Sequence, residues 1–249
     1  MLLLLVPSAA LGQSLSAREI LDKVLESDSF GLSSADVRAR AVAKDELGSQ
    51  RELSFTAKSR KYAPRLSRSL LRFTSPADIK GVGFLQLQKK DGDDDRHLFL
   101  PELKKSRRIS GKMRGNAFMG TDFNYADLDR RDMRDASATA KAGENLGKLA
   151  CHHLDVQPTG GDAVYARLEI WVRKDNLVPL KTLMFNKAGV LLKTLQTQEL
   201  KRIKGRWFIT RSLMTNHAEH RTTELTLEEI TPRDDADDEA FTVRNLEKI

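Results

Sequence analysis

The stretch Leu168-Glu169-Ile170-Trp171-Val172-Arg173, followed at once by Lys174-Asp175-Asn176, decides the fold class. Its aliphatic residues fall on one side of an extended chain, and its polar residues fall with Trp171 on the other. That period of two belongs to a half-buried β-strand, and the Lys-Asp-Asn run behind it has turn chemistry. Working outward, the same rhythm recurs from residue 50 onward, over 50–60, 68–74, 82–89, 96–100, 104–110, 150–157, 164–173, 180–186, 190–203, 207–217 and 221–230. Asp91-Gly92, Gly160-Gly161, Lys187-Ala188-Gly189 and Lys204-Gly205 punctuate the runs as hairpin turns do. Short connections force successive strands to lie antiparallel. About eleven strands in series, with one or two helices, predict a mainly β chain built on a large curled antiparallel sheet.

Two regions depart from the strand rhythm. Ser16 and Glu19 form a capping-box pattern, and Ile20, Leu21, Val24 and Leu25 then share one face of a predicted helix over 16–27. Residues 28–49 read as mixed and partly loop. The stretch 111–149 holds Gly111, Gly115 and Gly120, an aromatic cluster of Phe118, Phe123 and Tyr125, and a short helix start at Asn124 with Asp127 in its first turn. An excursion of that length between strand blocks suits either a lid or plug for a concave sheet, or structural filler.

The chain has 249 residues, 42 Lys and Arg against 35 Asp and Glu, a net charge of +7, 40% hydrophobic residues and one cysteine. Cys151 alone excludes an intramolecular disulfide framework and sites made of several thiolates. No apolar run approaches the roughly 18 residues of a membrane-spanning helix. Met1–Val6 is a short apolar run followed by Pro7 and small residues, so residues 1–12 are read as an export signal cleaved after Ala10 or Gly12, although the positive leader region is missing. Residues 13–249 are then expected to form one domain.

Catalytic patterns are hard to find. The chain has no Gly-x-Ser-x-Gly elbow, Gly-rich phosphate loop or His-Glu-x-x-His helix. Cys151 and His153 would share a strand face, read as a buried thiol beside a surface imidazole. Asp91, Asp93, Asp95 and Glu102 mimic a calcium-loop spacing, but Arg96 stands where the sharp turn needs glycine, so an acidic hairpin turn is expected. Neither cofactor nor metal is expected, and no enzyme. Residues 51–114 carry 17 Lys and Arg against 7 Asp and Glu. Lys104, Lys105, Arg107 and Arg108 crowd into that segment, a patch for anionic head groups or an acidic partner. Nucleic acid fits poorly, because aromatics are not interleaved as stacking platforms.

Several blocks carry a family resemblance: Phe73-Thr74-Ser75-Pro76, Lys80-Gly81-Val82-Gly83-Phe84-Leu85, Leu98-Phe99-Leu100-Pro101-Glu102-Leu103-Lys104-Lys105, Arg107-Arg108-Ile109-Ser110 and Phe118-Met119-Gly120-Thr121-Asp122-Phe123-Asn124-Tyr125-Ala126-Asp127-Leu128. Together they resemble the LolA-like outer-membrane lipoprotein-sorting family of Gram-negative bacteria, in its branch often encoded beside resistance-nodulation-division exporters. The resemblance is densest over 70–130 and extends over about 20–249. It implies an unclosed antiparallel β-barrel whose concave apolar face is covered by helices. It also implies a periplasmic, non-enzymatic, monomeric carrier that binds lipid or lipoprotein acyl chains and works with such an exporter. The expected lining is Phe84 or Leu85, Leu98 or Phe99, Leu183 and Phe185, with Phe118, Met119 and Phe123 as a plug. Arg107 and Arg108, with Lys104 and Lys105, are expected to hold a phosphate or a transporter's acidic surface. The competing expectation is a cargo-free accessory protein that docks on an exporter.

Overall fold

Fourteen strands pair edge to edge in one antiparallel sheet in the computed structural model of the chain, which describes residues 15–26, 34–64, 66–128, 131–143, 145–160, 163–233 and 238–248. They are β1 (Ala35–Lys44), β2 (Gln50–Ala63), β3 (Leu66–Ser75), β4 (Gly83–Leu87), β5 (Asp95–Leu100), β6 (Lys105–Arg108) and β7 (Ser137–Lys141) in the first half. In the second half are β8 (Asn145–Leu146), β9 (Leu149–Gln157), β10 (Arg167–Arg173), β11 (Pro179–Phe185), β12 (Leu191–Ile203), β13 (Arg206–Asn216) and β14 (Arg221–Pro232). The spatial order is β6-β5-β4-β3-β2-β1-β14-β13-β12-β11-β10-β9-β7, with β8 beside β9. Among the described residues the sheet ends in β6 and β7 and does not close on itself. The expected leader at residues 1–12 lies outside the described residues, as does most of the acidic run 234–239.

All eleven expected strands are present, and three more raise the count. One is β1, within the stretch read as mixed; the others are β7 and β8, within the excursion. β1 alternates buried and exposed positions like its neighbours, but four of its inward residues are Ala35, Ala39, Ala41 and Ala43. Alanine is depleted in strands, so the apolar half of the pattern is muted. β7, Ser-Ala-Thr-Ala-Lys, is largely exposed and lacks a large inward residue altogether.

Curling brings the two ends of the sheet onto one core. Phe84 of β4 and Leu98 of β5 belong to the same buried cluster as Leu154 of β9 and Leu168 and Ile170 of β10. Helix α1 (Ala17–Glu26) covers this concave side through Ile20, Leu21, Val24 and Leu25. Its start has the expected capping box: Ser16 N–H donates to Glu19 Oε2 at 2.8 Å, and Glu19 N–H donates to Ser16 Oγ at 3.2 Å. Arg18 ties the helix to the short helix α2 (Arg131–Arg134) and the turn before β7, donating to the carbonyls of Arg134 at 2.6 Å and Ala136 at 2.7 Å.

The convex side is covered separately. Leu70, Leu85 and Phe99 pack under Phe241 and Leu246, around the short helix α3 (Val243–Leu246). A Cβ at Gly83 would come within 2.6 Å of Leu246 Cδ1, so the close seat of α3 depends on that glycine. Farther along, His153 stacks on Trp171 with ring centroids 4.1 Å apart. Glu169 accepts from His153 at 3.0 Å, from Lys141 at 2.9 Å and from Arg167. Burial alone would push its carboxyl up, but hydrogen bonds from Lys141, Arg167 and His153 outweigh that and lower it from the ordinary 4.5 to about 2. Because the folded-state value lies below the unfolded one, this stabilisation is complete above pH 4.5 and is lost as pH falls from there toward 2. Glu169→Gln should therefore flatten the acid limb of stability over that window in urea unfolding at stepped pH; an unaltered limb would show that the network contributes nothing.

Candidate functional site

The concave face carries a crossing segment, residues 109–128, whose aromatic side chains fill the space between the sheet halves. Phe118 packs edge-on against Phe84 and Tyr125, with centroids 5.4 Å and 5.3 Å away, and lies 5.7 Å from Phe73. A tight turn presents it: Thr121 N–H donates to Phe118 O at 3.0 Å, and Met119 and Gly120 have φ of +53° and +81°. Two positive φ values in succession favour a glycine at one of them, which Gly120 supplies.

Two buried carboxylates hold the segment in place. The Asp122 side chain is 1% exposed, and its Oδ2 accepts from Thr223 Oγ1 of β14 at 2.6 Å. Thr223 Oγ1 in turn accepts from Asp122 N–H at 2.9 Å, while Asn216 Nδ2 and Arg221 Nε stand 3.4 Å and 3.6 Å from Asp122 Oδ1. Asp127 accepts from Tyr165 Oη at 2.8 Å and from Asn124 N–H at 2.7 Å, so the expected cap at Asn124 works in the reverse sense, with the aspartate as acceptor. Lys193, on β12 and 5% exposed, donates to Asp122 O at 2.6 Å and lies 3.4 Å from Asp127 Oδ2. Burial, and then the neighbouring Asp127 charge, push the Tyr165 hydroxyl far above its ordinary range, so it stays a donor.

On either side of this anchored segment an apolar hollow remains. One, of about 140 Å³, is bounded by Leu25 of α1, Tyr165, Leu168, Ile170, Met184 and Leu195. The other, of about 100 Å³, is bounded by Phe55, Leu71, Phe73, Phe84, Phe118 and Leu225. Phe123 borders both. An apolar cavity of about 150 Å³ is large enough for benzene, and the larger hollow is close to that size. A longer chain would need the crossing segment to yield.

Strand alternation sorts the expected site residues between the two faces. Phe84, Leu98, Phe118 and Phe123 belong to the concave cluster, with Met119 packed against it. Leu85 and Phe99 sit on the convex side under α3, which resolves the open choice at both pairs. Leu183 and Phe185 are corrected: both face outward, Leu183 beside Cys151 and Trp171, Phe185 with the Arg167 guanidinium 4.0 Å from its ring centroid. Met184 between them is the residue that faces in. The inward Leu168, paired with it, had marked that face through the alternation of 168–173. Among the basic residues, Arg107 pairs across from inward Leu98, whereas Arg108 pairs across from His97 and bridges to Asp95 at 2.7 Å. The two arginines thus turn to opposite faces and do not form a joint clamp. Lys104, at φ +48° in the turn, and Lys105 are exposed. Among the described residues no three His, Cys, Asp or Glu side chains gather as a metal site, and no helix is long and apolar enough to cross a membrane.

A family model described as an uncharacterized-protein family matches residues 65–248, most of the chain. The fold matches a domain described as an outer membrane lipoprotein-sorting protein from Vibrio parahaemolyticus, with a TM-score of 0.85, 25% identity, and 93% of this chain and 98% of that one covered. It also matches a DUF1329 family protein from Desulfovibrio piger, with a TM-score of 0.84, 24% identity, and 94% and 100% coverage. A LolA superfamily protein from Nitrosomonas europaea follows, with a TM-score of 0.73, 20% identity, and 92% and 98% coverage. No curated protein matches.

The anchoring predicts its own disruption. Removing a carboxylate from among buried donors leaves them unanswered, so Asp122→Ala should lower the unfolding free energy by about 3 kcal/mol. Thr223→Val should cost about 1 kcal/mol, and the double variant less than the two effects added. Chemical denaturation of the three proteins checks this, and strict additivity would mean that Thr223 is not the anchor.

Proposed function

The chain belongs to the LolA-like outer-membrane lipoprotein-sorting family, and we propose that it works as an exported, periplasmic, non-enzymatic carrier of lipid or lipoprotein acyl chains. Drawing a chain out of a membrane exposes methylene groups at about 0.8 kcal/mol each, so a carrier in water must offer apolar surface in exchange. The observation that carries this reading is the pair of apolar hollows on the concave face, with Phe123 as their common wall. A core serving stability alone has no use for such unfilled volume, because voids cost contacts. In this reading Phe84, Leu98, Phe118, Phe123 and Met184 contact the chain, and the Phe118–Phe123 turn gives way as cargo enters. Met119, at the tip of that turn, adapts to irregular apolar shapes.

A membrane transporter of the resistance-nodulation-division type is the proposed partner, met through the basic edge that carries Lys104, Lys105 and Arg107. That role follows from charge: a cationic edge steers toward anionic head groups or an acidic protein surface. The chain is proposed to act as a monomer, without nucleic acid.

Native mass spectrometry of protein purified from the periplasm tests the carrier reading, because bound lipid should travel with the folded chain. Thr182→Trp, which fills the larger hollow from β11, should strip that lipid, whereas Phe185→Asp, on the opposite face, should keep it. Folded protein that never carries lipid would replace the carrier with a cargo-free accessory that docks on an exporter.

A further inference from the structure

The two edges of the sheet are finished differently. At one edge α1 lies against β7, and Arg18 of the helix engages the carbonyl just before that strand. At the other edge β6 ends the strand order among the described residues, and Lys105, Arg107 and Arg108 are exposed on it. Ile109 N–H donates to Arg96 O at 2.8 Å, so the odd-numbered residues of this strand turn their backbone groups toward β5. Ser106 and Arg108 therefore turn theirs outward. Ser106 N–H is met there by a carboxylate: it donates to Glu247 Oε1 at 3.0 Å, and Ser106 Oγ donates to the same oxygen at 2.7 Å.

We infer that β6 is a docking edge, onto which an acidic extended segment of a protein partner adds as a further antiparallel or parallel strand. Three observations converge on it. The outward backbone positions have the geometry of a sheet edge, which pairs with any chain that presents the complementary groups. The side chains on that strand and its turn are cationic, and Lys105 and Arg107 share the face on which a cross-strand Glu or Asp would meet them. Glu247 already places a carboxylate on the outward N–H, in the position that an incoming acceptor would take. Glu247 is exposed, so displacing it uncovers nothing buried. Those two Ser106 bonds also hold its carboxyl below the ordinary range. The inference concerns the edge alone and stands or falls apart from the acyl hollow.

A short labelled peptide of alternating Glu and Thr, read by fluorescence anisotropy against the full chain at low salt, is the probe. Its partner control alternates Glu with Pro, keeping the charge while removing every second donor and the ability to extend a ladder. The Glu-Thr peptide should bind about tenfold more tightly than the Glu-Pro peptide. Ser106→Pro should weaken the Glu-Thr peptide by a similar factor, and its unfolding curve should match that of Glu247→Ala, which loses the same two Ser106–Glu247 bonds but keeps the outward N–H. Glu247→Ala should strengthen it about threefold by removing the competitor. Equal affinity for the two peptides would overturn strand addition without recourse to any variant, leaving charge alone. So would vesicles of anionic phosphatidylglycerol that capture wild-type and Ser106→Pro chains alike when the Glu-Thr peptide does not bind.

Discussion

A carboxylate taken out of water must be answered by donors, and at Asp122 that requirement organises the whole concave side. Its oxygens are met by Thr223, Asn216 and Arg221, all at the end of the sheet where β13 turns into β14. An uncompensated charge there would cost several kcal/mol, so the crossing segment has one seat and little freedom to slide. Its aromatic residues follow from that seat. With Asp122 pinned and Asp127 tied to Lys193 and Tyr165, Phe118 must lie against the β3–β4 side, and Phe123 must stand between the two hollows. The segment is therefore an insert held by polar bonds at Asp122 and Asp127 and by aromatic packing around Phe118.

The period of two does the remaining sorting. Every adjacent pair on a strand is divided between faces, so no two neighbours can serve the same surface. Phe84 and Leu98 belong to the concave core, while Leu85 and Phe99 receive the C-terminal helix. Arg107 and Arg108 separate in the same way, one across from Leu98 and the other bridging to Asp95. The convex face is thus no spare surface. It has its own apolar patch and its own polar network around Glu169, so changes on it register as stability.

Much of this was legible in the chain. Strong alternation with large residues, as at Leu168, Ile170 and Val172, located strands and the inward face together. Capping at Ser16 and Glu19 marked the helix for the same reason, since local chemistry declares itself locally. Where inward residues are alanines, as on β1, the strand was hidden, because a methyl group is a weak signal against exposed charges. At Leu183-Met184-Phe185 all three residues are apolar, so alternation alone does not say which face is inward; pairing with Leu168 decides it. Asp122 and Lys193 were beyond reach altogether. Each is an ordinary charged residue in sequence, and only the fold shows that it is buried and partnered.

One feature of the strand order bears on how the chain comes together. β1 has a neighbour in sequence on one side and β14 on the other, so that Val37 faces Ile230 across the middle of the sheet. The stretch β2 to β6 and the stretch β9 to β13 are each assembled from consecutive hairpins, quickly and locally. Their union waits on a closure that spans nearly the whole polypeptide, with its entropy deficit met before any reward arrives. Until β14 is available, each half presents raw backbone along its inner margin. The rate-limiting event of maturation is then expected to be this late central zippering, and the interval before it is when the nascent molecule is most exposed to misassociation.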